Sequence, residues 1–264
     1  MRPVWREFLD NLAPLPVSDD PDALKADTYN GPRVYVRGRK PAVKPAGTLP
    51  DGNSLPMWFF DLCNIESHNQ VAETTFQQAL RGPVTAQTPV SVLSKQAIAA
   101  ASLGRADAVR FMIPNQMRVL SPERSSAYKG GAVLANRMTL REGPQALDAQ
   151  RLGRASEALH MALLQSNPPA PGEDPILHLF PAWPKEWDAK FSLLARGAFR
   201  VNASISKGNI ESLEIESLAG AECRLRNPFG GAVTLRRDGR KAETLAGSLL
   251  RFPTRKGEKI GVTA

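Results

Sequence analysis

Gly143-Pro-Gln-Ala-Leu-Asp148 opens the stretch of sequence that decides the fold, and Ala195-Arg-Gly-Ala-Phe199 closes it. Between these ends a helical pattern runs to Met161-Ala-Leu-Leu-Gln-Ser166, and Ile176-Leu-His-Leu-Phe-Pro-Ala-Trp-Pro-Lys-Glu-Trp187 follows it. Near residue 170 the spacing of apolar residues changes from about 3.6, typical of a helix, to 2, typical of a strand. The stretch therefore predicts a helical body followed by a β domain, with Asp148 at the start of the last long helix.

The residues before this change in spacing predict helices. A short amphipathic helix covers residues 1–13. Apolar residues at i, i+3 and i+4 predict further helices at Val71–Leu80, Val90–Leu103, Arg105–Ile113 and Ala149–Gln165, with a break at Pro114-Asn115. The segment 14–56 is dense in Pro, Gly, Asp and Lys, and only Arg33–Arg37 is strand-like. We therefore expect a helical domain over residues 1–170 with an irregular excursion at 14–56.

The residues after the change predict a small antiparallel β-sandwich over 171–264. Turn residues at Lys207-Gly208-Asn209, Gly230-Gly231 and Asp238-Gly239 separate short segments in which apolar and polar residues alternate. The alternating segments are Phe199–Ile205, Leu213–Ile215, Cys223–Leu225, Val233–Leu235, Leu249–Arg251 and Ile260–Val262. Short strands with regular turns are typical of a sandwich, so the predicted fold class is α+β with two domains.

Charge and cysteine content argue against several kinds of function. The formal net charge of +8 comes from scattered cations, whereas nucleic-acid binding needs them gathered on one face, so we expect no nucleic-acid partner. Cys63 and Cys223 match no metal spacing or disulfide framework, which favours buried thiols, and we expect neither a metal nor a cofactor. No apolar run reaches the about 18 residues of a membrane span, and the first residues contain no signal peptide.

Asp148 is the residue in this stretch with the clearest chemical potential. It follows the pair Gly143-Pro144 and precedes a helix, where its carboxylate could accept backbone N–H groups and act only as an N-cap. Alternatively, an acid that a loop directs into a cleft can act as a general base and take a proton from water in glycoside hydrolysis. The residues alone leave both roles open.

Four elements of the sequence resemble the C-terminal region of glycoside hydrolase family 95, the α-L-fucosidases and related α-galactosidases. They are Pro144 to Asp148, the helix ending Leu163-Leu-Gln-Ser166, the segment Ile176–Trp187 and Ala195-Arg-Gly-Ala-Phe199. The resemblance covers roughly residues 85–225. It implies the last helices of an (α/α)6 toroid followed by a β-sandwich, and an inverting hydrolase of α-linked fucosides or galactosides. The family also suggests a periplasmic or extracellular location.

The resemblance places Asp148 at the family's general base, in a motif Pro-Phe-Gln-Ile-Asp-Gly-Asn-Phe-Gly, and Pro144 at its proline. The residues after Asp148 are Ala149-Gln-Arg-Leu-Gly153, so the sugar contacts of that motif are not carried over. The family's general acid, a Glu in a Ser-Pro-Glu-Asn motif, lies upstream of any counterpart to Met1. Ser121-Pro-Glu-Arg124 is only superficially similar to it. We therefore expect this chain to require a missing N-terminal part of the same protein as a partner. Without that part we expect the chain to be inactive.

Other residues are candidates for binding the carbohydrate substrate. Asn136, Glu142 and Gln145 share the loop of Asp148, and His68 lies where the family has a His-rich cleft segment. A solvated loop explains the three loop residues equally well, and a structural role is the simpler explanation of His68. Two further residues, Trp183 and Trp187, could stack on sugars, although the neighbouring prolines favour a packing role. The alternative function is a non-catalytic module that binds carbohydrate or a partner protein.

Overall fold

The computed structural model describes residues 3–12, 14–18, 33–36, 55–58, 62–80, 83–88, 90, 94–117, 148–170, 172–238 and 241–264. Its helices are α1 (Pro3–Asp10), α2 (Leu55–Trp58), α3 (Gln70–Ala79), α4 (Gln96–Ser102), α5 (Ala106–Met117) and α6 (Asp148–Leu163). Its strands are β1 (Val17–Ser18), β2 (Val34–Tyr35), β3 (Leu164–Gln165), β4 (His178–Leu179), β5 (Ala189–Ala195), β6 (Phe199–Ser206), β7 (Asn209–Ser217), β8 (Cys223–Arg226), β9 (Val233–Arg237), β10 (Lys241–Leu245), β11 (Leu249–Phe252) and β12 (Lys259–Thr263). The fold class is α+β, as predicted.

The chain forms two compact units that are interleaved in the sequence. The first comprises Met1–Leu55 and Gln70–Gly82, and the second comprises Pro56–Asn69 and Pro83–Ala264. The division into domains 1–170 and 171–264 stays a prediction, as does the toroid. Most of the excursion at 14–56 lies outside the described residues.

The first unit contains a short pair of strands packed on a helix. Strands β1 and β2 are antiparallel, with Val17 opposite Tyr35. The Tyr35 N–H donates to Thr75 Oγ1 of α3 at 2.8 Å, and Val34 and Phe76 are fully buried. Helix α1 exposes apolar residues: Val4, Trp5 and Phe8 are each more than half exposed, as is Leu12 just after the helix.

Helices α4, α5 and α6 of the second unit pack against one another. Several buried residues of α4 and α6 are small, and Ala99, Ala100, Ala158 and Ala162 have no exposed surface. Gly104 joins α4 to α5 with a φ of +74°, and a Cβ there would lie 2.8 Å from Ile65 Cδ1. This position therefore requires glycine.

Two predicted helix boundaries in this region are wrong. Helix α4 begins at Gln96 rather than Val90, and the Gln96 N–H donates to Ser94 Oγ at 3.2 Å. Helix α5 continues through Pro114 to Met117, although the sequence predicts a break there. The Asn115 side chain donates to the carbonyls of Thr85 and Thr88, and these contacts hold the last turn despite the missing proline N–H.

The β domain consists of two antiparallel sheets that share one core. The larger sheet has the strand order β10-β9-β12-β7-β6-β5, and the smaller one pairs β8 with β11. The core contains alternate residues of both sheets, among them Val201, Ile215, Leu235, Ile260, Leu225, Leu250 and Phe252. This arrangement confirms the small antiparallel β-sandwich.

The predicted alternating segments coincide with strands β6, β7, β8, β9, β11 and β12. Lys207 and Gly208 form the two-residue turn between β6 and β7, with φ values of +49° and +76° that suit a type I′ hairpin. The sequence pattern does not predict the edge strands β5 and β10. An edge strand is half solvated, so its sequence carries a weaker alternation, and exposed Leu194 interrupts it in β5.

Helix α6 is joined to the β domain through its C-terminal end. It stops at Leu163, two residues before the predicted end, because Leu164 and Gln165 leave the helix to pair with Leu179 and His178. The Phe180 N–H donates to the Leu163 carbonyl at 2.7 Å. These bonds satisfy backbone groups that the helix end leaves open.

We expect Leu225→Ala to lower the free energy of unfolding by about 2–5 kcal/mol, because it opens a cavity in a fully buried position. The matched control is Leu194→Ala, whose side chain is 70% exposed and whose effect should stay within about 0.5 kcal/mol. Urea unfolding followed by circular dichroism measures both. Equal losses for the two variants would contradict the described core.

Candidate functional site

A tight turn at Asn64–Ser67 presents a buried acid, Glu66. The Asn64 side-chain oxygen accepts the Glu66 N–H at 2.9 Å, and the Ser67 hydroxyl bonds the Asn64 backbone at both its N–H and its carbonyl. The Asn64 amide group also donates to the Pro168 carbonyl at 3.2 Å. The hydrogen bonds within this turn fix the direction of the Glu66 side chain.

The Glu66 carboxylate receives three hydrogen bonds from two distant residues. Arg226 donates from Nε to Oε1 at 2.7 Å and from its terminal nitrogen to Oε2 at 2.6 Å, which is the bidentate geometry. His178 Nε2 contacts Oε1. The Glu66 side chain is only 4% exposed, so these bonds replace the water that it loses. We call this cluster of Glu66, His178 and Arg226 the Glu66 clamp.

A short parallel bridge aligns the two donors. Leu177 bridges Leu225, with the Leu177 N–H donating to the Arg224 carbonyl and the Arg226 N–H to the Leu177 carbonyl. Both leucines face the sandwich core and are fully buried. Because side chains alternate along a strand, the next residues, His178 and Arg226, both lie on the opposite face and meet Glu66 there.

The electrostatics of the clamp favour an ionised Glu66 and a neutral His178. Burial raises the pKa of Glu66, but the hydrogen bonds and charges of Arg226 and His178 outweigh it and leave this pKa below its usual value. Burial is also the main reason that the pKa of His178 is lowered, against the opposing effect of Glu66. Arg226 already balances the carboxylate charge, so the imidazole stays neutral and donates its Nε2–H.

This arrangement makes the clamp a structural contact rather than a centre for proton transfer. Both oxygens of Glu66 accept hydrogen bonds from fixed donors and the side chain is only 4% exposed, so the carboxylate is not free to take up a proton. The sequence assigns no role to Glu66 and does not connect it to His178 or Arg226. No local pattern could do so, because the contacts span 112 and 160 residues of sequence.

His68 lies at the edge of the clamp. Its backbone has a φ of +45°, a left-handed conformation that is uncommon outside glycine, and its side chain is exposed. Its charge is one of the influences that lower the pKa of His178. His68 is thus accessible from solvent, and its contact with sugar stays a prediction.

Asp148 is the first residue of α6. The helix has 16 residues and is about 24 Å long at about 1.5 Å per residue. Its C-terminal end carries the junction with the β domain, so the backbone of Asp148 lies at the opposite end of the helix. Asn136, Glu142 and Gln145, like the motif Ser121–Arg124, lie outside the described residues.

Trp183 and Trp187 support each other, as the packing interpretation predicts. Their rings meet edge to face with centroids 5.3 Å apart, and Trp183 Nε1 donates to the Trp187 carbonyl at 2.8 Å.

Cys63 and Cys223 are buried thiols. Burial and the charge of Glu222 raise the pKa of Cys223 to about 12, so this thiol is unreactive.

The described part of the chain contains neither a cluster of metal ligands nor a membrane-spanning helix. No three of its His, Cys, Asp or Glu side chains are close enough to hold a metal ion. No helix within the same residues is long and apolar enough to cross a membrane.

Residues 172–262 match the family model described as Glycoside hydrolase family 95, C-terminal domain. The match begins just after α6 and covers the sandwich from β4 into β12. It confirms the resemblance of this region to the C-terminal region of that family. A search of curated proteins found no match.

We expect Glu66→Gln to lower the free energy of unfolding by about 1–3 kcal/mol, because it leaves the charge of Arg226 uncompensated. The Arg226 side chain is 34% exposed, so water replaces part of the lost interaction. The control is Glu216→Gln, which breaks the exposed ion pair with Arg200 and should cost at most about 0.5 kcal/mol. Urea unfolding of both variants decides whether the clamp is stabilising; similar small losses would refute it.

The free energy of unfolding should fall as the pH drops below about 6.5. In the unfolded chain His178 takes up a proton near its usual pKa of 6.5, whereas its pKa in the folded chain is lower. The unfolded state then binds more protons in this window and is favoured. The lowered pKa of Glu66 adds a loss in the same direction below its usual value of 4.5.

His178→Asn keeps a hydrogen-bond donor but cannot titrate, so its unfolding free energy should vary less between about pH 7 and 5.5 than that of the wild type. The control His160→Asn changes an exposed histidine of α6 and should keep the wild-type profile. Chemical unfolding at a series of pH values provides the measurement. A wild-type profile that is flat in this window would exclude the neutral buried imidazole.

Proposed function

We propose that the chain is the C-terminal portion of a glycoside hydrolase that acts on α-linked fucosides or galactosides by an inverting mechanism. The observation that carries the proposal is the match of residues 172–262 to the C-terminal domain of glycoside hydrolase family 95. The helix that leads into this domain begins at Asp148, the position that resembles the family's general base. A larger hydrolase of that family is the context in which such a domain is expected.

Asp148 acts as the general base in this proposal. It removes a proton from a water molecule, whose oxygen attacks the anomeric carbon from the face opposite the leaving group. The position in the first turn of α6 supports this role, because the positive end of the helix dipole favours a negatively charged carboxylate. A base must be ionised before it can accept the proton.

The general acid comes from another part of the same protein. An inverting site needs a second carboxyl group roughly 6.5–9.5 Å from the first, which protonates the glycosidic oxygen while water occupies the space between them. The sequence has no convincing counterpart of the family's acid motif. Asn136, Glu142, Gln145 and His68 are the proposed contacts to the sugar, and the chain alone should hydrolyse neither substrate.

The decisive variant is Asp148→Asn in the longer enzyme. If Asp148 is the base, kcat for an α-fucoside or an α-galactoside should fall by about 10²- to 10⁴-fold, since proton abstraction is lost. The melting temperature should change little, because Asn is nearly as good as Asp at a helix N-terminus. The control Asp174→Asn changes an exposed acid of the β domain, paired with Arg224, and should leave kcat intact.

A second measurement separates the base from a residue that only stabilises the helix. In Asp148→Ala the shorter side chain leaves room for an azide ion. Azide attacks the anomeric carbon without the help of a base and yields a glycosyl azide of inverted configuration. Rescue of turnover by azide supports the base. Hydrolysis by Asp148→Asn within about tenfold of wild type would remove Asp148 from the mechanism.

A further inference from the structure

A surface groove of about 570 Å³ lies in the β domain, apart from the Glu66 clamp. Its walls are the segment 179–185, the start of β7 and the loop at 228–229. Three aromatic residues line it: Phe180, Trp183 and Phe229. The volume falls in the range of about 300–1,000 Å³ that is usual for small-molecule sites.

A β-bulge shapes one wall of the groove. Ser204 pairs with Ser212, but the next residue, Ile205, pairs with Ile210, so the register skips Glu211. Consecutive residues of a regular strand point to opposite faces. Here Glu211 and Ser212 are both exposed and both line the groove. The bulge thus leaves Glu211 out of the regular ladder at the groove, whereas the Ser212 hydroxyl is hydrogen-bonded to that of Ser204 at 2.7 Å. Bulges are common next to binding sites.

Contacts within the protein hold the aromatic side chains of Phe180 and Trp183 in place before any ligand binds. Phe180 has a φ of +51°, which is unfavourable for a bulky residue, and its ring meets that of Phe191 with centroids 5.5 Å apart. Trp183 is held by its hydrogen bond to the Trp187 carbonyl. Rings that are already ordered lose little entropy when a ligand binds, so the groove is preorganised.

The polar groups of the groove favour an uncharged ligand. Among the lining side chains, Lys185 and Glu211 contribute one positive and one negative charge, and Asn209 and Ser212 are neutral. A carboxylate accepts hydrogen bonds from hydroxyl groups, an ammonium donates to them, and an amide does both. The turn at Gly208 packs closely on the stem of Lys185, since a Cβ added to this glycine would lie 3.4 Å from the Lys185 Cβ.

We propose that this groove binds a short neutral oligosaccharide. A pyranose ring combines an apolar face of C–H groups, which suits Phe180, Trp183 and Phe229, with hydroxyl groups that reach Lys185, Asn209 and Glu211. The site does not involve Asp148, so it holds sugar in the β domain whether or not the chain belongs to a working hydrolase.

The test uses the chain of 264 residues with 2′-fucosyllactose and raffinose as probes, in calorimetry and tryptophan fluorescence. We expect saturable binding of at least one probe. Phe229→Ala and Glu211→Gln should each weaken it by about tenfold or more, the usual loss when an aromatic or polar contact at the centre of a binding site is removed. Circular dichroism and urea unfolding establish that each variant is folded.

Two matched control variants test whether the loss of sugar binding is specific to the groove. Leu194→Ala removes an exposed apolar side chain of β5, and Glu222→Gln removes an exposed charge of the same domain; both should bind like wild type. Asp148→Asn should also bind normally, which separates this site from the proposed hydrolysis. The proposal is overturned if neither probe saturates, or if wild type, Phe229→Ala and Glu211→Gln bind alike. It also fails if the chain dimerises and Phe229→Ala abolishes dimerisation, since a second copy then covers the groove.

Discussion

The buried carboxylate of Glu66 joins the turn at 64–67 to the β domain. Its hydrogen bonds to Arg226 and His178 fix how the turn and the strands meet. The carboxylate is favourable inside the protein only because Arg226 and His178 supply donors for both of its oxygens. Those donors are adjacent only because Leu177 bridges Leu225 on the core side. Hydrophobic packing on one face of this short parallel pair therefore positions the charged contact on the other.

The β domain combines this regular core with local irregularities that shape its surface. Alternation buries one face of each central strand, and this pattern tolerates little change because a shift by one residue exposes the core. The skipped Glu211 and the left-handed Phe180 depart from regular geometry at the groove. Such departures are unfavourable locally and persist because the surrounding core and hydrogen bonds fix them.

The two proposed sites lie on different parts of the second unit and require different chemistry. Proton abstraction by Asp148 would occur at the start of α6, whereas the groove lies among the strands that follow the other end of that helix. Hydrolysis needs a second carboxyl group from elsewhere, but binding in the groove needs only residues of this domain. A sugar chain held by the β domain would raise the local concentration of substrate near a catalytic site in the same protein.

The sequence by itself determined the α+β class, the central strands of the sandwich, the turn at Lys207-Gly208 and the resemblance of the C-terminal region to glycoside hydrolase family 95. These features are local, because the spacing of apolar residues, the turn residues and the short motifs each depend only on residues that are close together in the sequence. Only the tertiary structure decided the Glu66 clamp, the continuation of α5 through Pro114 and the groove around Phe229. Each of these depends on side chains that are far apart in sequence, and their contacts outweigh the local preferences that sequence analysis reads.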